Sequence, residues 1–260
     1  MKLCRFHTLD SSERKACAGV VEGNFVHEVS GEWPGAGSRT GRQWQLDRVR
    51  LLAPVVPSKI VCLARNYKLH AAEVGKPAPS EPVIFLKAPS AVIGPGDTIE
   101  MPPESARVDH EGELAAVIGR RCSRIGPGEE IDSYLAGFCC LNDVTARDLQ
   151  KKDGHYARSK GYDTFCPLGP VIETGFDWKQ ARIQTRVNGE LRQDGVASDM
   201  IFPVDEVVRW ISQVMTLLPG DVIATGTPAG ISSLAPGDLV EVSIEGIGRL
   251  GNPVAARSAR

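Results

Sequence analysis

Apolar residues along this chain fall mostly in short runs between turn-forming clusters, and only one stretch repeats at helical spacing. The runs at 60–63, 83–86, 114–118, 138–141, 171–172, 183–187, 221–224 and 239–244 are rich in Val, Ile, Leu and Phe, which predicts strands. Pro-Gly-Asp at 95–97, 219–221 and 236–238 punctuates them, and Asn188-Gly189 predicts a type I′ hairpin. Ahead of them, 18–21 and 25–29 flank Glu22-Gly23-Asn24 as a first hairpin, and the Gly/Ser/Pro-rich stretch 31–41 predicts a loop. Val204, Val207, Val208, Ile211, Val214, Met215 and Leu218 predict a helix that starts at Pro203 and stops at Gly220. A shorter helix is expected from Thr145, with Asp148 completing a capping-box-like pair, and another turn from Lys68 to Val74. Many strands with few helices predict an α+β, mainly β fold. Pro54 and Pro57 place a boundary in 51–57, between a small N-terminal domain (1–55) and a larger one (56–260).

Composition narrows the function classes. The 260 residues are 42% hydrophobic and 24% charged, so a sizeable core is available. A net charge of -2 and the lack of a basic run argue against nucleic acid or anionic membranes as partners. No apolar stretch has the length of a membrane span, and 1–7 lacks an apolar signal core, so the expectation is a cytoplasmic protein. Seven cysteines without a C-x-x-C pair read as reduced thiols, not as a zinc site. Neither G-x-G-x-x-G after a strand nor a P-loop occurs.

The candidate chemistry lies in acidic residues set among apolar ones. Glu111 and Glu113 precede the apolar run 114–118, and Asp143 follows the run 138–141. Two residues apart on a strand, Glu111 and Glu113 point to one face, and His110 points to the other. Buried carboxylates are costly unless something neutralises them. A hard divalent cation does so, and all-oxygen ligation selects Mg²⁺ or Mn²⁺ over zinc. Glu73 follows His70 by three residues, so on a helix its carboxylate can hold one imidazole nitrogen and leave the other as a base. Lys87 at a strand end and Lys160 in Ser159-Lys160-Gly161 can balance acidic charge or receive a substrate carboxylate. The segment 224–230 (Ala-Thr-Gly-Thr-Pro-Ala-Gly) follows a buried strand and reads as a turn or as a close-approach anion loop. His7, His27 and His155 have no partner in the sequence and read as structural or exposed.

Taken in order, these segments resemble the fumarylacetoacetate hydrolase family. The resemblance rests on Arg65-Asn66-Tyr67-x-x-His70-x-x-Glu73, Phe85-Leu86-Lys87, Glu111-x-Glu113-Leu114 and Asn142-Asp143-x-Thr145-x-Arg147-Asp148-x-Gln150. It extends through Lys160 with Pro167-Leu168-Gly169-Pro170, Asn188-Gly189 and Thr225-Gly226-Thr227-Pro228-x-Gly230. It implies a C-terminal mixed β-sandwich roll behind a small N-terminal domain, in a homodimer. It implies Mg²⁺ or Mn²⁺ on Glu111, Glu113 and Asp143, with Lys160 behind them in the catalytic set. His70 and Glu73 would activate water on a segment that closes over the ligand, and Arg65, Lys87, Arg147, Gln150 and Thr227 would contact substrate. The additional upstream acidic ligand of the larger eukaryotic members has no counterpart, which points to the smaller prokaryotic-type, acylpyruvase-like or 2-hydroxyhepta-2,4-diene-1,7-dioate isomerase-like branch.

Three carboxylates would leave about half of an octahedral shell open for a bidentate 2-oxo acid, and a bound cation would stabilise its enolate. The reaction expected first is C–C bond hydrolysis of an acylpyruvate or fumarylpyruvate-like acid. The same enolate serves a dienedioate isomerase, and an oxaloacetate decarboxylase or tautomerase. A reading from another class, a catalytically inactive oligomeric binding module, would require loss of a ligand or of the His–Glu pair, and this chain retains both.

Overall fold

The predicted strand runs assemble into two packed sheets in a computed structural model, which describes residues 1–9, 15–35 and 37–258. The larger sheet has 12 strands among the described residues. Its order runs Ser38–Gln45, Phe25–Ser30, Cys17–Glu22, Lys2–Thr8, Cys166–Glu173, Leu135–Asn142, Gly112–Ile118, Val222–Ala224, Ile60–Ala64 and Val83–Lys87, with two short strands paired off this path. The N-terminal strands continue this sheet, because Lys2–Thr8 pairs antiparallel with Cys166–Glu173. The smaller sheet orders Glu190–Val196, Arg182–Val187, Leu239–Ile244, Gly248–Ala256 and Ile99–Met101. Both sheets are mixed, since Val222–Ala224 runs parallel to Ile60–Ala64 and Gly248–Ala256 parallel to Ile99–Met101. Four α-helices accompany them among the described residues: α1 (Lys68–Glu73), α2 (Arg147–Asp153), α3 (Ala157–Gly161) and α4 (Val204–Val214). The fold is therefore mainly β, and no described helix is long and apolar enough to cross a membrane.

Alternation along the Gly112–Ile118 strand explains both the core and the site. Leu114, Ala116 and Ile118 join a cluster containing Ile183, Val242 and Ile244 of the smaller sheet. Ala115 and Val117 point the other way, towards Cys62, Cys139, Cys166 and Ala224. Every residue of the strand is buried, so it reads as a continuous apolar run. Each large aliphatic side chain buried this way stabilises the fold by about 1.5–3 kcal/mol. The glycine between the two glutamates is a packing requirement. A Cβ on Gly112 would stand 2.0 Å from Thr185 Oγ1, so only glycine lets the sheets close at the strand's start. All seven cysteines are free, and six are buried.

Three local expectations are corrected. The stretch 31–41 is not all loop, because Ser38 opens a strand paired with Phe25–Ser30. That edge strand is exposed along nearly its whole length, so it has no buried face to print an alternation in the sequence. Helix α4 ends at Val214 instead of reaching Gly220: Met215 is extended, and Leu217 forms a β-bridge with Cys122. The apolar 215–218 segment thus satisfies its backbone across the chain. Thr145 does not start a helix either. It pairs with Asp109, and Asp148 accepts from the Ser105 hydroxyl and the Ala106 N–H instead of closing a capping box.

Candidate active site

Strand register assembles the acidic trio. Gly112 lies opposite Asn142 and Glu113 opposite Leu141, so Glu111 and Asp143 flank the end of the Gly112–Ile118/Leu135–Asn142 pair. The Asp143 N–H donates to the Glu111 carbonyl at 2.8 Å, and the Asn142 side chain accepts from the Glu111 N–H at 2.9 Å. One carboxylate oxygen from each of Glu111, Glu113 and Asp143 lies within 4.8 Å of the others, and all three residues are buried. They border a cavity of about 870 Å³, together with Arg65, His70, Glu73, Arg147, Gln150, Lys160 and Thr227.

Three buried cations oppose this charge. Lys160 Nζ donates to Glu111 at 2.8 Å, to Asp143 at 2.5 Å and to the Thr145 hydroxyl at 2.8 Å. Arg147 pairs with Glu111, donates to Asp109 at 2.9 Å and to Gln150 at 2.7 Å. Lys87 Nζ donates to Asp143 at 2.7 Å and to the Val144 carbonyl at 3.2 Å. Lys87 and Lys160 thus lie where they can balance acidic charge, and Arg147 adds a third cation. Burial works against the Glu111 charge, but Lys160 and Arg147 outweigh it and hold that carboxyl far below the usual range. Burial also works against the Lys160 charge, yet Asp143 and Glu111 keep the ammonium protonated. Glu113 is treated differently. Burial, then the charges of Asp143 and Glu111, push its carboxyl well above the usual range. A single N–H, from Gly226 at 2.8 Å, supports it. Among the described residues it has no salt-bridge partner, so one carboxyl remains under-compensated in an otherwise balanced cluster.

Across the cavity, α1 carries the His70–Glu73 pair. His70 is buried, and its Nδ1 lies 3.1 Å from one Glu73 oxygen. The other Glu73 oxygen accepts from the Gly230 N–H at 3.0 Å. Glu73 thus links α1 to the 225–230 loop, and that same loop supports Glu113 through Gly226. Gly230 sits at φ +103°, and a Cβ there would stand 2.1 Å from the Arg192 carbonyl oxygen. Gly230→Ala is expected to cost about 1–3 kcal/mol of stability and to lower turnover, because the loop must move away from Glu73. Melting and steady-state rates of the variant check both, and an unchanged rate would show the contact to be idle.

The other sequence-selected positions divide. Arg65, Arg147, Gln150 and Thr227 line the cavity, whereas Lys87 is 1% exposed, lies against Asp143 and is not part of the cavity wall. Arg65 holds φ +58°, a left-handed conformation rare outside glycine, and its buried Nε has no hydrogen-bond partner. His110 points away from Glu111 and Glu113, as strand parity predicts, with Nδ1 3.1 Å from Gln193 and Nε2 2.9 Å from Ser232. Sequence reasoning missed Asp109, fully buried between Arg107 and Arg147. It also missed Lys76, Lys151, His155 and Tyr156 on the cavity wall. Helical spacing from Arg147 to Lys151 and Gly154 was the available signal for that face of α2.

The donor set fits a hard divalent cation. Three carboxylates within one coordination radius, with one under-compensated, match oxygen-preferring Mg²⁺ or Mn²⁺. Neutral thiols and imidazoles do not contribute, so the set does not suit a soft ion.

Comparison with known proteins finds relatives over most of the chain. The family model described as fumarylacetoacetate (FAA) hydrolase C-terminal matches residues 59–255, and an Rv2993c-like N-terminal model matches residues 1–54. Protein Rv2993c of Mycobacterium tuberculosis is 49% identical over 226 residues, covering 86% of this chain and 85% of its own. Oxaloacetate tautomerase YisK of Bacillus subtilis is 42% identical over 226 residues, covering 81% of this chain and 75% of its own. The crystal structure of 5-carboxymethyl-2-hydroxymuconate delta-isomerase from Mycobacterium smegmatis superposes with a TM-score of 0.91 at 43% identity, covering 99% of this chain and all of that one.

Proposed function

Since the chain belongs to the fumarylacetoacetate hydrolase family, we propose that it is a divalent-metal-dependent enzyme that moves a proton on the carbon next to the keto group of a 2-oxo acid. The observation that carries this reading is one cavity joining the acidic trio to the His70–Glu73 pair. A bound Mg²⁺ or Mn²⁺ would polarise the keto group and stabilise the negative charge of an enolate. The protein's own residues do the rest. Glu73 accepts from Nδ1–H of His70, which leaves Nε2 to take a proton from the substrate carbon. Delivering that proton to the enolate oxygen completes the keto-to-enol exchange, and the reverse transfer, from the enol oxygen to carbon, returns the keto form. Arg147 and Gln150, 2.7 Å apart on the cavity wall, offer donors to a substrate carboxylate. Lys160 keeps its proton and holds Glu111 and Asp143 in place.

Relatives named as a tautomerase and a delta-isomerase support proton transfer as the first reading. A second reading, C–C bond hydrolysis of an acylpyruvate, is favoured by the base pair itself: His70 can take its proton from a water that attacks the distal carbonyl. Oxaloacetate enol decay and pyruvate and CO₂ release, followed with Mg²⁺ and with EDTA, separate the outcomes. Enol decay that stops with EDTA and yields no pyruvate is expected for oxaloacetate. Pyruvate from an acylpyruvate would establish the second reading, and activity indifferent to EDTA would overturn both.

A further inference from the structure

Gln193, in the Glu190–Val196 strand of the smaller sheet, is fully buried, yet its amide meets the loop that borders the cavity. Two backbone groups fix its orientation. Oε1 accepts from the Gly112 N–H at 2.9 Å, a group that can only donate. Nε2 donates to the Pro228 carbonyl at 2.7 Å, a group that can only accept. The second Nε2 hydrogen goes to the Thr227 hydroxyl oxygen at 2.6 Å. Thr227 then has one acceptor for its own hydrogen, the Gly112 carbonyl at 2.8 Å. His110 completes the set: facing an acceptor oxygen, Nδ1 carries the hydrogen, and Nε2 accepts from the Ser232 hydroxyl. The loop is seated tightly, since a Cβ on Gly195 would stand 2.4 Å from Pro228 Cβ.

A hydroxyl has one hydrogen and two acceptor positions. In Thr227 the hydrogen and one acceptor position are engaged, and one acceptor position remains. Turning the hydrogen towards a ligand would remove the partner of the buried Gly112 carbonyl, which costs about 1–3 kcal/mol. A lone pair aimed at a carboxylate is repulsive, whereas a lone pair aimed at an O–H is not.

We propose that Gln193 is a positioning residue that keeps the Thr227 hydroxyl acceptor-only at the cavity wall, so that this position recognises an O–H of the ligand, the enol or 2-hydroxy form, and not a carboxylate. The inference rests on the 2-oxo acid reading above and assigns the two ends of the ligand: carboxylate to Arg147 and Gln150, hydroxyl to Thr227.

Malonate and hydroxymalonate differ by one hydroxyl. Their affinities, measured by calorimetry in Mg²⁺, give a hydroxyl preference for each variant. Thr227→Val is expected to shrink that preference about threefold to tenfold relative to wild type, and Thr227→Ser to retain it. Gln193→Leu should shrink it with Thr227 intact and with a cooperative melt, and Gln193→Met serves if the leucine variant does not fold. An unchanged preference in Thr227→Val, or in the Gln193 variant, would overturn the inference while malonate binding left the proposed function standing. Wild-type protein that bound neither acid would overturn both.

Discussion

His70→Ala is expected to lose about 10²–10⁴-fold in turnover while binding Mg²⁺ as tightly as wild type. The side chain is buried on α1, and among the described residues its polar partner is the Glu73 carboxylate at 3.1 Å. It is not one of the three carboxylates whose oxygens converge, so its removal leaves the donor set intact. Glu73→Gln should give a smaller loss. The amide can still accept from the Gly230 N–H, but it offers no charge to an imidazolium formed during proton transfer. Turnover followed beside calorimetric Mg²⁺ binding separates the roles. Equal turnover in His70→Ala would exclude the histidine as base, and a parallel loss of Mg²⁺ affinity would assign it to the metal site. In either reading of the reaction His70 takes the first proton, so the variant tests the chemistry common to both.

The sequence displayed the site more fully than the fold around it, for physical reasons. Strand parity placed Glu111 and Glu113 on one face and His110 on the other, and no further information was needed for that. Central strands buried on both faces left continuous apolar runs, and these mark Gly112–Ile118 and Leu135–Asn142 well. The exposed edge strand Ser38–Gln45 and the short bridges at Leu217 and Thr145 are held by backbone pairing that side chains do not announce. The same limit applies to charge. Lys87 and Arg147 were legible as cations near the site, but their pairing with Asp143 and Glu111 depends on contacts across 56 and 36 residues of chain, respectively. Gln193 was not legible at all: its signal is a register between sheets, and it gains meaning only where its strand passes the 225–230 loop.

The reaction was the least legible of all, and the structure shows why. Everything that stabilises an enolate is shared by hydrolases, isomerases and tautomerases. Distinguishing them requires groups at the departing or rearranging end of the substrate. Wall residues such as Lys76, Lys151 and His155 border the same cavity but occupy no motif, because a place on its wall depends on the fold and not on spacing along the chain.

The unequal treatment of the two glutamates leads to the second large effect. Both Glu111→Gln and Glu113→Gln remove one of three ligands and are expected to weaken Mg²⁺ by at least about 100-fold. In EDTA they should diverge. Glu111 faces Lys160 and Arg147, and its amide substitute leaves these buried cations short of charge. That variant should lose about 3 kcal/mol of stability. Burial and its acidic neighbours raise the Glu113 carboxyl well above the usual range and so favour its neutral form, which an amide mimics, and the variant should melt at or above wild type. The pH dependence has opposite signs for the two. The lowered Glu111 carboxyl contributes stability that is present above the ordinary carboxylate range, near pH 4.3, and is lost as pH falls through its folded-state value. The raised Glu113 carboxyl binds its proton more tightly in the folded chain, so it detracts from stability as pH rises above that same range. Melting curves in EDTA across pH should therefore show Glu113→Gln gaining on wild type with rising pH, and Glu111→Gln falling behind. Two variants of equal stability at every pH would mean that the trio shares its charge evenly. In that case burial and acidic neighbours would not set Glu113 apart from Glu111.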